Sequence, residues 1–224
     1  MGTDPVIISR KNMKTRARTE EDKLIKKRRL LDSAKKLFSL HGYQGTSVGM
    51  ITENAGVSTG TFYLYFKSKP EIYRILNIEG IDILHGYIKE SISQAGSDAA
   101  GRLSAIAGAY FNFYREYREY YDIIAILHLG QEEFFRDTSM LQAVEEKTVH
   151  LLSLLQAVIE EGIKSGDFKP VDARKTTTVL WATMDGILLL EKRNVMNIIN
   201  ESLDDIVKES IEMAFRGIIK KKGE

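Results

Sequence analysis

Four hydroxyls stand within seven residues, at Thr59, Thr61, Tyr63 and Tyr65, with Gly60 among them. Ser58 or Thr59 is placed to cap a short helix there. In that helix Phe62 and Phe66 are four apart and share a face. Thr61 and Tyr65 are also four apart, roughly 100° round from the aromatics. The aromatic anchors therefore point inward, while Thr59, Thr61, Tyr63 and Tyr65 point outward. Hydroxyls on an exposed helix N-terminus suit phosphate oxygens and base edges. Just upstream, Thr46 or Ser47 caps a helix over about 47–54. Ala55-Gly56-Val57 then makes a turn, with Gly56 able to take positive φ. Two short helices joined by a glycine turn form a helix-turn-helix. On residue pattern alone, a plain helical hairpin with surface Tyr and Thr fits as well.

Other chemistry finds little support. His41, His85, His128 and His150 are scattered, with no pair at i, i+3 or i+4. Glu132-Glu133, Glu145-Glu146 and Glu160-Glu161 are consecutive, and neighbours i and i+1 do not share a helix face. There is no glycine-rich phosphate loop after a strand and no nucleophile elbow. Cysteine is absent, which excludes disulfides and Cys-based zinc sites. Neither an enzyme, a metal site nor a cofactor is expected. The longest apolar runs, Ile123–Leu127 and Ile187–Leu190, fall far short of the ~20 residues that span a membrane. The N-terminus lacks the apolar core of a secretory leader. A soluble cytoplasmic protein is the expectation, with no membrane partner.

The elements that must position the hydroxyls are helical. Residues 1–20 are polar and basic and read as a flexible arm. From about Glu21 the pattern turns helical, and Leu30, Leu31, Ala34, Leu37 and Phe38 form one stripe of period 3.6. Gly42 then stops the helix. The chain has 32 Lys+Arg against 31 Asp+Glu, a net charge of +1. That balance hides a split. Residues 1–75 hold 15 Lys/Arg against 7 Asp/Glu, and residues 76–224 hold 17 against 24. The first part is basic by +8 and the rest acidic by −7. A charge run alone fits a solvated tail; beside a helix-turn-helix it fits a polyanion partner.

Residues from about 27 to 75 resemble the DNA-binding domain of the TetR family of transcriptional regulators. The likeness is carried by Leu31-Asp-Ser-Ala-Lys-Lys-Leu-Phe38, His41-Gly-Tyr43, Thr46-Ser47, Ile51 and the run Ala55-Gly-Val-Ser-Thr-Gly-Thr-Phe-Tyr-Leu-Tyr-Phe-Lys-Ser-Lys69. The basic arm (1–20) departs from it, being longer than many members carry; beyond the arm the likeness implies a DNA-binding domain (21–69) and a C-terminal ligand-binding and dimerisation domain (70–224). The implied fold is all-α, a three-helix helix-turn-helix domain followed by a larger helical domain. Thr46 and Ser47 would hold a phosphate. Thr59, Gly60 and Thr61 would lead the recognition helix into the major groove of double-stranded DNA. Tyr63 and Tyr65 would reach phosphates or bases, and Lys69 would clamp the backbone as a point charge. Lys67 is a weaker candidate, and the basic arm would add non-specific affinity.

The acidic remainder reads as helices over about 71–93, 98–119, 119–129, 138–165, 172–193 and 201–221. The stretch Tyr110 to Tyr121 is strongly aromatic. If a ligand pocket of the family's kind lies here, Tyr110, Phe113, Tyr114, Tyr117, Tyr121 and His128 would line it, although aromatic residues at helical spacing serve a core equally well. The last two helices are apolar round much of their circumference, and Gly186 permits close helix approach. The resemblance implies a homodimer through these helices, a near-palindromic operator and a small, partly apolar inducer. Two rivals stand beside a ligand-released repressor. One is a DNA-binding regulator without a small-molecule inducer. The other is a helical dimer whose helix-turn-helix serves protein contact only.

Overall fold

In the computed structural model, residues 5–127 and 138–220 are described, with side chains over 20–125 and 141–220. His128, Phe134, Phe135 and the pair Glu132-Glu133 lie outside the described residues, as do the side chains of the basic arm. The chain divides into two units, 1–76 and 77–224. The division falls seven residues beyond the boundary expected after residue 69, inside one continuous helix.

The first unit contains α1 (Pro5–His41), α2 (Val48–Ala55), α3 (Thr59–Tyr63) and the opening turns of α4 (Lys69–Gln94). α1 starts at Pro5, well before the expected Glu21, so the segment read as a flexible arm is helical in its described part. Proline suits a first helical position, and no Gly or Pro interrupts the chain from there to His41. Residues 20–29 are exposed throughout. Burial begins at Leu30 and follows the expected stripe of Leu30, Leu31, Ala34, Leu37 and Phe38. Gly42 (φ 69°) and Gly56 (φ 65°) both take the left-handed conformation that ends a helix. Phe38, Tyr43 and Tyr73 pack as an aromatic trio, with ring centroids 5.7, 5.0 and 4.9 Å apart. Ser33 Oγ donates to the Ile51 carbonyl at 2.8 Å and pins α2 to α1.

The second unit holds the rest of α4 with α5 (Ala99–Glu116), α6 (Arg118–Leu127), α7 (Thr138–Ser165), α8 (Ala173–Lys192), α9 (Val195–Ile199) and α10 (Leu203–Ile218). The expected helices are present, with ends shifted by a few residues. α9 is an addition. Its bounds are two asparagines with positive φ, Asn194 (59°) and Asn200 (56°), a conformation Asn tolerates better than most residues. Asp98, Asp172 and Ser202 cap α5, α8 and α10 through their side chains. The Lys175 backbone N–H donated to Asp172 holds that carboxyl below the usual range. No strand occurs among the described residues; Phe168 and Ile219 form one isolated antiparallel bridge. It ties the turn after α7 to the end of α10, with Lys169 N–H donating to the Ile218 carbonyl at 2.8 Å. Among the described residues no helix is long and apolar enough to cross a membrane.

Phe168 is fully buried and lies flat on Gly162 of α7, where an added Cβ would come within 2.3 Å of the ring. A methyl there must displace Phe168 and strain the bridge. Gly162→Ala is expected to cost about 1–3 kcal/mol. Thermal denaturation checks this, with the midpoint falling roughly 2–4 °C for each kcal/mol; an unchanged midpoint would contradict the packing described.

Candidate nucleic-acid interface and ligand cavity

The first unit builds a short helix on a fixed base. Ser47 caps α2, its Oγ accepting the Met50 N–H at 3.2 Å. After Gly56, the Val57 N–H returns to the Thr52 carbonyl at 3.0 Å. Ser58 caps α3, accepting the Thr61 N–H at 3.2 Å and pairing with the Thr61 hydroxyl at 2.9 Å. Phe62 is fully buried, its ring 5.5 Å from that of buried Phe66, and the two anchor α3. Of the four side chains expected to point outward, Thr59 and Tyr63 are exposed, with Gly60 between them, and Thr61 and Tyr65 are half-buried.

Two details alter the inventory. α3 ends at Tyr63, so Tyr65 stands past the helix rather than within it. Leu64 is 81% exposed beside Tyr63 at 57%. An exposed leucine next to the hydroxyls is of the apolar type that can meet a thymine methyl. Its sequence signal was weak, because Leu in an apolar run reads as core.

Thr46 is buried, and its hydroxyl faces the Gly42 carbonyl at 2.8 Å and the Leu37 carbonyl at 3.1 Å. A hydroxyl has one proton, which is committed to these carbonyls, so the Thr46 side chain holds the α1–α2 turn and does not donate outward. Lys69 is tied to the same turn. Its Nζ donates to the Tyr43 and Thr46 carbonyls, each at 2.9 Å, and lies 4.1 Å from the Tyr43 ring centroid. The positive charge expected to clamp a phosphate thus also locks the start of α4 to the turn that Ser47 follows. Lys67 is exposed, and its backbone N–H donates to the Glu71 carboxylate. Gly60 has a different standing. A Cβ built there meets only Ser58 Oγ, at 3.8 Å. Among the described residues nothing requires a glycine at that position.

The second unit contains a cavity of about 310 Å³, walled by α4, α5, α7, α8 and α10. Ile88, Leu103 and Ile106 form buried wall, and Leu151, Leu152 and Leu155 of α7 face it. Among the described residues no Lys, Arg, His, Asp or Glu lines it. Its polar groups are Tyr110, Trp181, Thr183 and Ser210. Tyr110 and Tyr121 both donate to Asp185 Oδ1, each at 2.9 Å. Burial first, and then the neighbouring Asp185, raises the Tyr110 phenol well above its ordinary value, and burial raises Tyr121 too. Both remain protonated donors.

Of the aromatic residues expected to line a pocket, Tyr110 does. Phe113, Tyr114 and Tyr121 are buried but not among the lining residues, and Tyr117 is half-buried beside Phe113, 5.8 Å between centroids. They form core, as helical aromatic spacing permits; His128 lies outside the described residues. The aliphatic lining from α7, α8 and α10 went unread, since a cavity wall and a packed core share one apolar period. The structure also brings His85 and His150 together from α4 and α7, 5.0 Å between ring centroids. Partial burial, then His150 and Lys89, lowers the His85 pKa. Among the described residues no three His, Asp or Glu side chains gather closely enough to hold a metal.

Residues 30–74 match the family described as bacterial regulatory proteins, tetR family. The fatty acid metabolism regulator protein of Bacillus subtilis strain 168 is 27% identical over 157 residues, 70% of this chain and 78% of that one. The crystal structure of the Bacillus subtilis regulator FadR in complex with stearoyl-CoA aligns with a TM-score of 0.68 and 25% identity, covering 84% of this chain and 97% of that one. The fatty acid degradation regulator FadR of Bacillus halodurans shares the fold, with a TM-score of 0.70 at 24% identity over 86% of this chain and 95% of that one.

The placement of Thr46 generates a test of its own. Thr46→Val keeps the shape and removes the hydroxyl, leaving buried carbonyls short of a donor, and is expected to cost about 1–3 kcal/mol. Thr46→Ser keeps the hydroxyl and is expected to lose less. Urea denaturation of both variants checks the order; equal stability of Val and wild type would show that the buried bonds do not hold the turn.

Proposed function

Taking as premise that the chain belongs to the TetR family of bacterial regulatory proteins, we propose that it is a homodimeric transcriptional repressor. It binds a near-palindromic operator in double-stranded DNA and is released by a ligand bearing an apolar chain. Its place of action is the cytoplasm, with the DNA. The observation that carries the DNA reading is α3. Thr59, Gly60 and Tyr63 are exposed on a helix whose opposite face is locked by Phe62 and Phe66. Ser58 is committed to the cap, while Thr59, Tyr63 and the neighbouring Tyr65 supply hydroxyls to bases and phosphates. Ser47 adds a second point on the same unit, and Lys69 contributes its charge from the α1–α2 turn. Thr46 acts from behind, through the turn. The net charge of +8 on residues 1–75 supplies the non-specific attraction that positions the head.

The ligand reading rests on the cavity. An uncharged wall of Leu, Ile, Met and Phe suits a saturated chain, and about 310 Å³ falls at the small end of ligand sites. Among the described residues no charged side chain lines it, which leaves an anionic head group outside the chain-binding space. A relative solved with stearoyl-CoA supports a fatty-acyl thioester as the class. Of the cavity's residues, Tyr110 is the one retained from the expected aromatic set; Phe113, Tyr114, Tyr117 and Tyr121 support it from the core. α4 is the covalent route between the functions, since Lys69 begins it and Ile88 lines the cavity. A ligand that releases DNA must bind the non-DNA conformation better than the other. The cavity favours this reading over a regulator without a small-molecule inducer.

An operator selected from random duplexes permits two tests. Gly60→Ala is expected to leave stability unchanged or raise it by up to about 1 kcal/mol, because alanine is the better helix former. The same variant is expected to weaken operator binding about tenfold or more, since the methyl stands where DNA backbone or base edges approach. Wild-type operator affinity in Gly60→Ala would remove the major-groove reading. Stearoyl-CoA is expected to dissociate the wild-type complex in a mobility-shift assay; an unchanged complex at saturating acyl-CoA would favour the inducer-free rival.

A further inference from the structure

The cavity has polar groups in its wall, but their protons are already committed. Tyr110 donates its phenol to Asp185 Oδ1 at 2.9 Å. The Trp181 indole N–H is hydrogen-bonded to Tyr110 in turn. Thr183 Oγ1 donates to the Val179 carbonyl at 2.8 Å, and Ser210 Oγ donates to the Val207 carbonyl at 2.7 Å. A hydroxyl or an indole has a single proton to give. Among the described residues lining the cavity, every side-chain N–H or O–H therefore has a partner within the chain.

The backbone adds no donor either. The lining residues lie within α4, α5, α7, α8 and α10, each at least four residues past the first residue of its helix. Only the opening turn of a helix has N–H groups without intrahelical partners. The wall thus has lone pairs to offer a ligand, on the Thr183 and Ser210 oxygens, and no proton. A methylene asks for neither. A ketone or thioester carbonyl is an acceptor only, and it loses its water on entering with nothing to replace it.

Asp185 decides this at one point. It is half-buried on α8 and does not line the cavity. Tyr121 also donates to its Oδ1, at 2.9 Å, but Tyr121 is outside the lining. Tyr110 is the phenol in the wall, so Asp185 determines where the proton of a lining residue points.

We infer that Asp185 is a positioning residue for ligand selectivity: by holding the Tyr110 proton it leaves the cavity without a donor, so the site takes a saturated alkyl chain and rejects the same chain carrying an oxo group. The inference rests on the proposed acyl ligand and adds the feature by which such ligands are sorted. The thioester carbonyl itself stays outside with the head group, and the chain enters by its methyl end.

The test uses the full chain and three probes of one length: stearoyl-CoA, 12-oxostearoyl-CoA and 17-oxostearoyl-CoA. The two oxo groups sample two depths of the chain. Trp181, the single tryptophan and a lining residue, reads binding by fluorescence, and thermal denaturation reads the fold. The wild type is expected to bind both oxo probes about tenfold or more weakly than stearoyl-CoA. Equal affinity for all three would overturn this inference alone, whereas a wild type that binds no stearoyl-CoA overturns the acyl-ligand reading on which it rests. Asp185→Leu releases the Tyr110 proton and is expected to narrow the gap about fivefold or more for at least one oxo probe. A merely structural loss would weaken all three probes together and leave their ratios unchanged, so wild-type ratios in a folded Asp185→Leu would remove the role given to Asp185. Asp185→Asn keeps a carbonyl oxygen for both phenols and is expected to retain the wild-type ratios. Loss of selectivity in Asp185→Asn would contradict the inference even if the leucine variant fails to fold.

Discussion

A helix of five residues has no stability of its own. Nucleation costs more than a single turn of hydrogen bonds returns, and isolated helices below about 12–15 residues are marginal in water. α3 (Thr59–Tyr63) exists because Phe62 and Phe66 are buried under it and Ser58 caps it. Its exposed side can then be chosen without regard to folding. That separation explains why Thr59, Gly60, Tyr63 and Leu64 point outward from a unit whose other apolar residues are largely buried. The base beneath α3 is held by buried polar bonds as much as by packing. Ser33, Thr46 and Lys69 each satisfy a carbonyl at the end or turn of a helix, where the backbone lacks intrahelical partners.

The second unit solves the opposite problem. It encloses a cavity among its helices. Its aromatic residues fill the region around Phe113, Tyr114 and Tyr121, while aliphatic side chains of α7, α8 and α10 surround the cavity. Asp185, which accepts from two phenols, anchors α8 to α5 and α6 beside that space. The near-zero net charge of the whole chain follows from the same division of labour. A basic head suits phosphates, and an acidic body is kept off them.

Much of this was legible in the sequence because it depends on local spacing. The stripe Leu30 to Phe38, the turn at Gly56 and the inward pair Phe62 and Phe66 follow from periods of 3.6 and from glycine's freedom at positive φ. What was not legible depends on partners distant in sequence. Thr46 and Lys69 look like outward donors until the carbonyls of Leu37, Gly42 and Tyr43 are brought to them. The aromatic run from Tyr110 to Tyr121 looks like a pocket, yet only Tyr110 reaches one. Leucines of α7 that line the cavity share their period with leucines that fill a core. α9 was missed because five residues between two asparagines carry too little periodicity to register.

In the proposed function one chain couples a DNA-reading head to an apolar cavity. Linkage makes the coupling reciprocal, so the most direct measurement is the stearoyl-CoA dissociation constant with and without saturating operator duplex. The account predicts that operator weakens stearoyl-CoA binding by the same factor by which stearoyl-CoA weakens operator binding. An identical acyl-CoA affinity in both conditions would contradict it.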